Sequence, residues 1–172
     1  MGTDGGGINI LDPTTGNITV LEHISGDNHS LPTNTILCLH SDSAGNIWAG
    51  SKREGVINIR EVSMRTYTNV VLGHNKGLSQ STVLQLYQEP ASEELWIATD
   101  GGGINKFIPS TETFVHYPDT WGDKMVSITS FTPNELLVSA FSKGIFIFDK
   151  KTGKKRPFAI MSPSLEHHIR YS

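Results

Sequence analysis

The stretch GNIWAGSKREGVINI, residues 45–59, decides the architecture because the chain repeats it. It aligns with EELWIATDGGGINKF at residues 93–107, which sets Trp48 and Trp96 48 positions apart, and Gly55 and Gly103 likewise 48 apart. A third copy, NELLVSAFSKGIFIF at residues 134–148, puts Leu137 in the tryptophan place and Gly144 in the glycine place, 41 positions after Gly103. In all three copies the tryptophan or leucine stands seven residues before the glycine. Backwards along the chain, TDGGGINIL at residues 3–11 sets Gly7 48 positions before Gly55, so the matching tryptophan falls before residue 1 and the first repeat is cut. Self-similarity at such a period marks stacked repeats, each of which buries its apolar face on a neighbour.

Each copy reads as four short strands. The first is an apolar run (NTILCLH from Asn34, STVLQLY from Ser81, MVSITSF from Met125), and continuous apolarity predicts a strand buried on both faces. A turn follows (SDSAGN, EPASEE or TPN), and then a strand holding the Trp or Leu. A Gly-containing loop leads to the third strand, INIL, VINI, INKF or IFIF. DPTTGN, EVSMRT, PSTET and DKKTGK take a hairpin position before the fourth strand, and two of them carry Thr-Gly turns. Four strands in about 40–50 residues is the signature of a propeller blade. The expected fold is therefore all-β, a partial β-propeller of about three and a half four-stranded antiparallel blades. A half blade covers residues 2–24 and blades cover 34–72, 81–118 and 124–160, with 161–172 the start of a further strand or a tail. Such an arc leaves two apolar blade faces to be covered, by the remaining blades of a longer chain or by a second copy that completes seven blades.

Bulk composition narrows the function classes. A hydrophobic share of 37% and a charged share of 18% are ordinary for a soluble globular protein. A net charge of −3 gives no reason to expect nucleic acid or an anionic membrane as partner. No apolar run approaches the length of about 18 that marks a transmembrane helix. The residues after Met1, GTDGGG, have neither the basic start nor the apolar stretch of a signal peptide, so location is not written in the chain itself.

The core pattern, an apolar strand, Asp-x-x-Gly-Asn-Ile-Trp, Gly-Ser/Thr, then Gly-Gly-Ile/Leu, resembles the two-component regulator propeller repeat. LHSDSAGNIWAGS at residues 39–51 and LWIATDGGGI at residues 95–104 carry it. The loops HSLPTNTI and KGLSQSTV resemble that family's lead into its inner strand. The third copy departs from it, with Leu137 for Trp and no Asp-x-x-Gly-Asn turn. The resemblance implies part of the periplasmic sensor region of a hybrid two-component system of Bacteroides-like bacteria, responding to oligosaccharides released from glycans. No kinase, phospho-acceptor or DNA-binding part is present, so this piece is expected to sense or scaffold.

Candidate chemistry is sparse. Gly5-Gly6-Gly7 and Gly101-Gly102-Gly103 lack the following helix and the lysine of a phosphate cradle, and read as loop glycines. Asp42 to Trp48 lacks the alternating acids of a calcium loop and reads as a turn in which Asp42 caps backbone amides. Cys38, the single cysteine, reads as a small buried hydrophobe. The seven histidines show no metal-ligand spacing, so no metal or cofactor is expected. No Gly-x-Ser-x-Gly elbow supports an enzyme. The sequons at Asn17 and Asn28 carry no weight in a bacterial chain.

Topology supplies the best positional argument. In a four-stranded blade the loops joining fourth to first strand and second to third strand share one rim. That rim holds Asn28, His29, His74, Asn75, Lys76, Trp121 and Asp123 from the first class of loop, and Asp4, Lys52, Arg53, Glu54, Asp100, Ser142 and Lys143 from the second. Arg53, Trp121, Lys52, Asp100, His29 and His74 are the candidate ligand contacts, with amides and charges for sugar hydroxyls and Trp for a sugar's C–H face. The function expected is a non-enzymatic, periplasmic sensor-propeller segment for glycan-derived oligosaccharides. The alternatives are an interaction scaffold without a small ligand, or part of a carbohydrate-active propeller enzyme.

Overall fold

The computed structural model describes residues 1–27, 29–60, 63–69, 76–90 and 92–159, and of Ser63 the backbone alone. Residues 161–172, expected to begin a further strand or form a tail, lie outside the described residues. Strands β1 (Ile8–Leu11) and β2 (Ile18–Leu21) pair as a half blade. The first blade comprises β3 (Ile36–Ser41), β4 (Ile47–Ser51), β5 (Val56–Arg60) and β6 (Ser63–Tyr67). The second comprises β7 (Val83–Gln88), β8 (Leu95–Thr99), β9 (Gly103–Ile108) and β10 (Thr113–His116). The third comprises β11 (Met125–Thr132), β12 (Glu135–Ala140), β13 (Gly144–Asp149) and β14 (Lys155–Pro157). Each sheet is antiparallel and keeps sequence order across its width, and β3, β7 and β11 lie side by side as inner strands. This is the partial propeller that the repeat predicts. Helical structure among the described residues is one 3₁₀ turn, Pro118–Thr120.

Alternation along each strand sends successive side chains to opposite faces, and each face packs on a different neighbour. Leu95, Ile97 and Phe107 of the second blade meet Trp48 and Val56 of the first in one apolar cluster. Trp96, Ala98 and Ile104, on the opposite face, meet Leu136, Val138 and Phe148 of the third blade. Ala49 and Ile57 face back onto Ile8 and Leu21 of the half blade. The repeated tryptophan is thus a knob that enters the next blade. Trp48 sits edge-on to Phe107 at 5.3 Å between ring centres, and Tyr67 lies 5.0 Å from the same Phe107. The second joint repeats the triad: Trp96 lies 6.0 Å from Phe148, and Tyr117 lies 5.0 Å from it. Leu137 takes the tryptophan place on the outer face of the third blade, where Ile145 is 43% exposed. At the other end of the arc Leu11 and Ile18 are 60% and 63% exposed.

The inner strands depart from expectation. They are not buried on both faces: β3 and β11 have few buried positions among half-buried and exposed ones, whereas β8 is buried throughout. The inner strand forms one edge of its sheet, while the second strand has a partner on either side. A register shift also falls near the start of each inner strand, at Ile36/Cys38, Val83/Gln85 and Met125/Ser127. Such a bulge adds a residue and twist, and it turns Leu37 and Val126 outward, each 39% exposed. Cys38 is accordingly half-buried rather than fully buried.

Two devices recur where the second strand turns into the third. Thr3, Ser51 and Thr99 donate their hydroxyls to the carbonyls of Gly7, Gly55 and Gly103, four residues on, at 3.0, 3.0 and 2.8 Å. The glycine N–H of Gly7 and of Gly55 reaches across to the residue leading into the next blade, donating to Asn34 and Ser81 carbonyls at 2.9 Å each. Only glycine serves there. Gly55 has φ +77°, and a Cβ on it would strike the carbonyl oxygen of Tyr67. The turn before the second strand is equally specific. Asp42 accepts from the backbone N–H of Asn46 at 2.8 Å and of Ala44 at 3.0 Å, and from the Trp48 indole N–H at 2.9 Å. Burial works against charge on Asp42, but these donors outweigh it and hold its carboxyl below the usual range.

The joint yields a stability prediction. Gly45, at φ +82° in open space, should lose about 1–2 kcal/mol on substitution by alanine, the ordinary left-handed penalty. Gly55→Ala should lose clearly more, because strain and clash add. Urea denaturation of the two variants makes the comparison, and equal losses would contradict the close approach at Gly55.

Candidate functional site

The rim holding the candidate contacts is built from loops tied to each other by backbone bonds. Isolated bridges join Asp4 to Thr35 and Asp100 to Lys124. Gly101 N–H donates to the Asp123 carbonyl at 3.1 Å, and Gly122 N–H to the Gly101 carbonyl at 2.9 Å. The second-to-third loop of each blade is thereby fastened to the loop that enters the next.

The candidate residues occupy three separate junctions of this rim. His29 belongs to the half blade and first blade; its side chain is 90% exposed, and its backbone N–H donates to Asp27 Oδ1 at 2.8 Å. Lys52 and Arg53 are exposed on the loop between β4 and β5, where the Lys52 carbonyl accepts from the Thr82 hydroxyl of the second blade. Asp100 and Trp121 stand at the junction of second and third blades. Asp100 is paired with Lys124 at 2.9 Å, and Trp121 is 54% exposed. His74 lies outside the described residues, as do Asn28 and Asn75. The structure therefore puts the described candidates at one end of the blades without gathering them around one point.

Beside Trp121 it does build a centre. Asp123 has a side chain only 2% exposed and takes the ammonium groups of both Lys143 and Lys155. Lys155 also donates to the Asp119 carbonyl at 2.9 Å and lies 5.5 Å from the centre of the Phe146 ring. Lys154 reaches Asp119 at 3.2 Å. Burial pushes the Asp123 carboxyl up, yet hydrogen bonds and charge from the two lysines prevail and hold it below the usual carboxylate range. The result is a buried carboxylate with two ammonium groups fixed on it, on the loop that also carries the exposed Trp121. Asp123 and Lys143 are on the rim by topology alone. Lys155, on the fourth strand of the third blade, could not be assigned there because nothing in KKTGKK says which lysine turns inward.

The remaining reactive groups are occupied structurally. Burial pushes the Cys38 thiol up to about 12, against the thiolate form. The imidazole of His116 contacts the Gly77 carbonyl at 2.8 Å and that of His23 the Leu31 carbonyl at 2.7 Å, each fastening a lead-in loop. Among the described residues no group of three His, Cys, Asp or Glu is placed to hold a metal ion, and no helix is long and apolar enough to cross a membrane.

Asp123→Asn should lower stability at pH 7 by about 2 kcal/mol, less than a fully buried pair because Lys143 reaches water. The folded-state pKa is depressed, so the ionised form stabilises above the unfolded pKa, and that contribution is lost as pH falls through the folded one. Denaturant melts from pH 7 downward should show the gap between wild type and Asp123→Asn closing in acid. A constant gap would contradict the role of the charge.

Comparison with known proteins agrees with this geometry. Residues 30–53 match the two component regulator propeller family. No curated protein matches the chain. Among solved structures, the extracellular domain of BT3049 from B. thetaiotaomicron, assigned to the hybrid two component systems, aligns at TM-score 0.66 and 24% identity, covering 74% of this chain and 19% of that one. PorZ of the type-IX secretion system of Porphyromonas gingivalis aligns at TM-score 0.61 and 15% identity, over 94% of this chain and 26% of that one. The computationally designed Ika8 protein aligns at TM-score 0.58 and 17% identity, over 90% of this chain and 43% of that one. At these identities the likeness is one of fold, and the chain spans about a fifth of the length of the BT3049 domain. The chain is a partial β-propeller similar in fold to the extracellular domain of a hybrid two component system, and its residues 30–53 match the two component regulator propeller.

Proposed function

We propose that this chain is a non-enzymatic segment of a periplasmic sensor propeller that recognises glycan-derived oligosaccharides on the rim bearing Trp121. The observation that carries the reading is the exposed Trp121 on the same loop as Asp123, which gathers Lys143 and Lys155. A sugar presents a C–H face to an aromatic ring and hydroxyls to charged donors, and that juxtaposition offers both. Arg53 and Lys52 extend the same rim by one blade, and His29 by two. The match to the two component regulator propeller at residues 30–53 and the likeness to the extracellular domain of a hybrid two component system support the sensing role and the location. The exposed apolar faces at Leu11 and Ile18 and at Ile145 support packing on further blades, supplied by a longer chain or by a second copy. Light scattering separates those two sources, a second copy doubling the chain's 18.8 kDa.

Isothermal titration against a panel of neutral and acidic oligosaccharides tests the reading. At least one member should bind, and Trp121→Ala should weaken it tenfold or more with the melting temperature unchanged, because an exposed ring contributes little to folding. Binding indifferent to both Trp121→Ala and Arg53→Ala, or no binding across the panel, would overturn it.

A further inference from the structure

The two complete joints between blades are built alike, yet one is sealed and the other is open. Between the second and third blades, Lys106 stands opposite Trp96 in the strand register and lays its ammonium 5.5 Å from the indole ring centre. The same ammonium donates to Glu94 at 2.9 Å. Lys150, two residues past Phe148, crosses to Glu89 and donates to its two oxygens at 2.7 and 2.9 Å. Both lysines are well covered, with side chains 18% and 16% exposed.

Between the first and second blades both plugs are missing. The residue opposite Trp48 is Asn58, and the position two past Phe107 is Pro109. A cleft of about 210 Å³ opens there, floored by Trp48, Tyr67 and Phe107 and walled by Asp42, Glu93, Glu112 and Arg60. It lies at the end of the blades opposite the Trp121 rim, among the turns joining first to second and third to fourth strands. Of its three carboxylates, Asp42 is taken by its own turn and the Trp48 indole and Glu112 is paired with Arg65 across the joint, which leaves Glu93 to face the cleft, while the Arg60 guanidinium is held by Asn58, its Nε donating to Oδ1 at 3.0 Å. Asn58, opposite Trp48 in the strand register, is itself 2% exposed and keeps its Nδ2 without a partner. The tryptophan floor is that of the sister joint without the lysine over its ring, and Asn46 stands where the sister joint has Glu94.

We infer that this cleft is a binding site for a ligand bearing a primary ammonium group, which takes over Trp48 the place that Lys106 takes over Trp96. Cation–π attraction and carboxylate pairing hold the ammonium, as they hold the lysine in the sealed joint. The site is independent of the oligosaccharide reading of the opposite rim, and either can fail alone.

The chain has three tryptophans, so an amide correlation spectrum carries three indole N–H signals, and that of Trp48 is bonded to Asp42 at the cleft wall. Cadaverine, Nα-acetyl-lysinamide and glucosamine are the probes, with 1-pentanol and glucose as neutral controls. The amines should shift the Trp48 signal and leave those of Trp96 and Trp121 in place, with dissociation constants on the order of millimolar. The tightest of the three tells whether the natural ammonium comes from a free diamine, a lysine side chain or an amino sugar. Asn58→Lys, which restores the internal plug, should weaken binding at least tenfold, and Glu93→Gln on the exposed wall should weaken it severalfold. If Asn58→Lys fails to fold, Glu93→Gln decides. No shift at Trp48, an equal shift with the neutral controls, or folded variants that bind like wild type would overturn the proposal.

Discussion

Everything in this arc depends on one packing contact, the insertion of a second-strand tryptophan into the next blade. A four-stranded sheet of this size cannot bury both its faces alone, and an isolated blade would leave its apolar residues in water. Trp48 and Trp96 solve this by meeting a fourth-strand tyrosine and the phenylalanine of the following blade, in the triads Trp48–Tyr67–Phe107 and Trp96–Tyr117–Phe148. Burying side chains of this size contributes roughly 2–3 kcal/mol each, and aromatic geometry adds to that. The glycine after the second strand lets the neighbouring strand come close enough for the triad to form. Joint and glycine therefore recur together.

The repeat made the architecture legible. Once Trp48 and Gly55 are matched with Trp96 and Gly103, the strand order, the turns and the sharing of one rim by two loop classes follow from blade topology. The Asp42 turn was legible too, since Asp, Asn and Gly at that spacing have few other uses. What escaped were properties that depend on three-dimensional neighbours. The inner strands look fully buried by composition, yet they lie at a sheet edge and carry bulges that turn Leu37 and Val126 outward. Tyr67 and Tyr117 recur at 50 positions and Phe107 and Phe148 at 41, so no single period exposes the triad they form. The candidate rim residues were correctly assigned to loops, but a rim spread over three junctions is not a site, and the buried Asp123 that organises one of them looks like any loop aspartate.

The divergence between copies is as informative as the repetition. In the second blade Glu89 takes the place of Asp42 and turns to Lys150, which leaves the Trp96 indole N–H buried without a partner. The hydrogen-bonded Asp42 turn is thus exchanged for the Glu89–Lys150 ion pair, and the cleft opens at the joint that keeps the turn. Repeats fix the scaffold, and departures from the repeat set where it is open to other molecules.

The central claim, that the tryptophan joint couples adjacent blades, is tested most directly by a double-mutant cycle between Trp48 and Phe107. Trp48→Leu, Phe107→Leu and the double variant would be compared by urea denaturation with wild type. The account predicts a coupling free energy of about 1 kcal/mol, since the two rings stabilise each other beyond the area each buries. Effects that add to within about 0.3 kcal/mol would show that the rings act independently, and would contradict the joint.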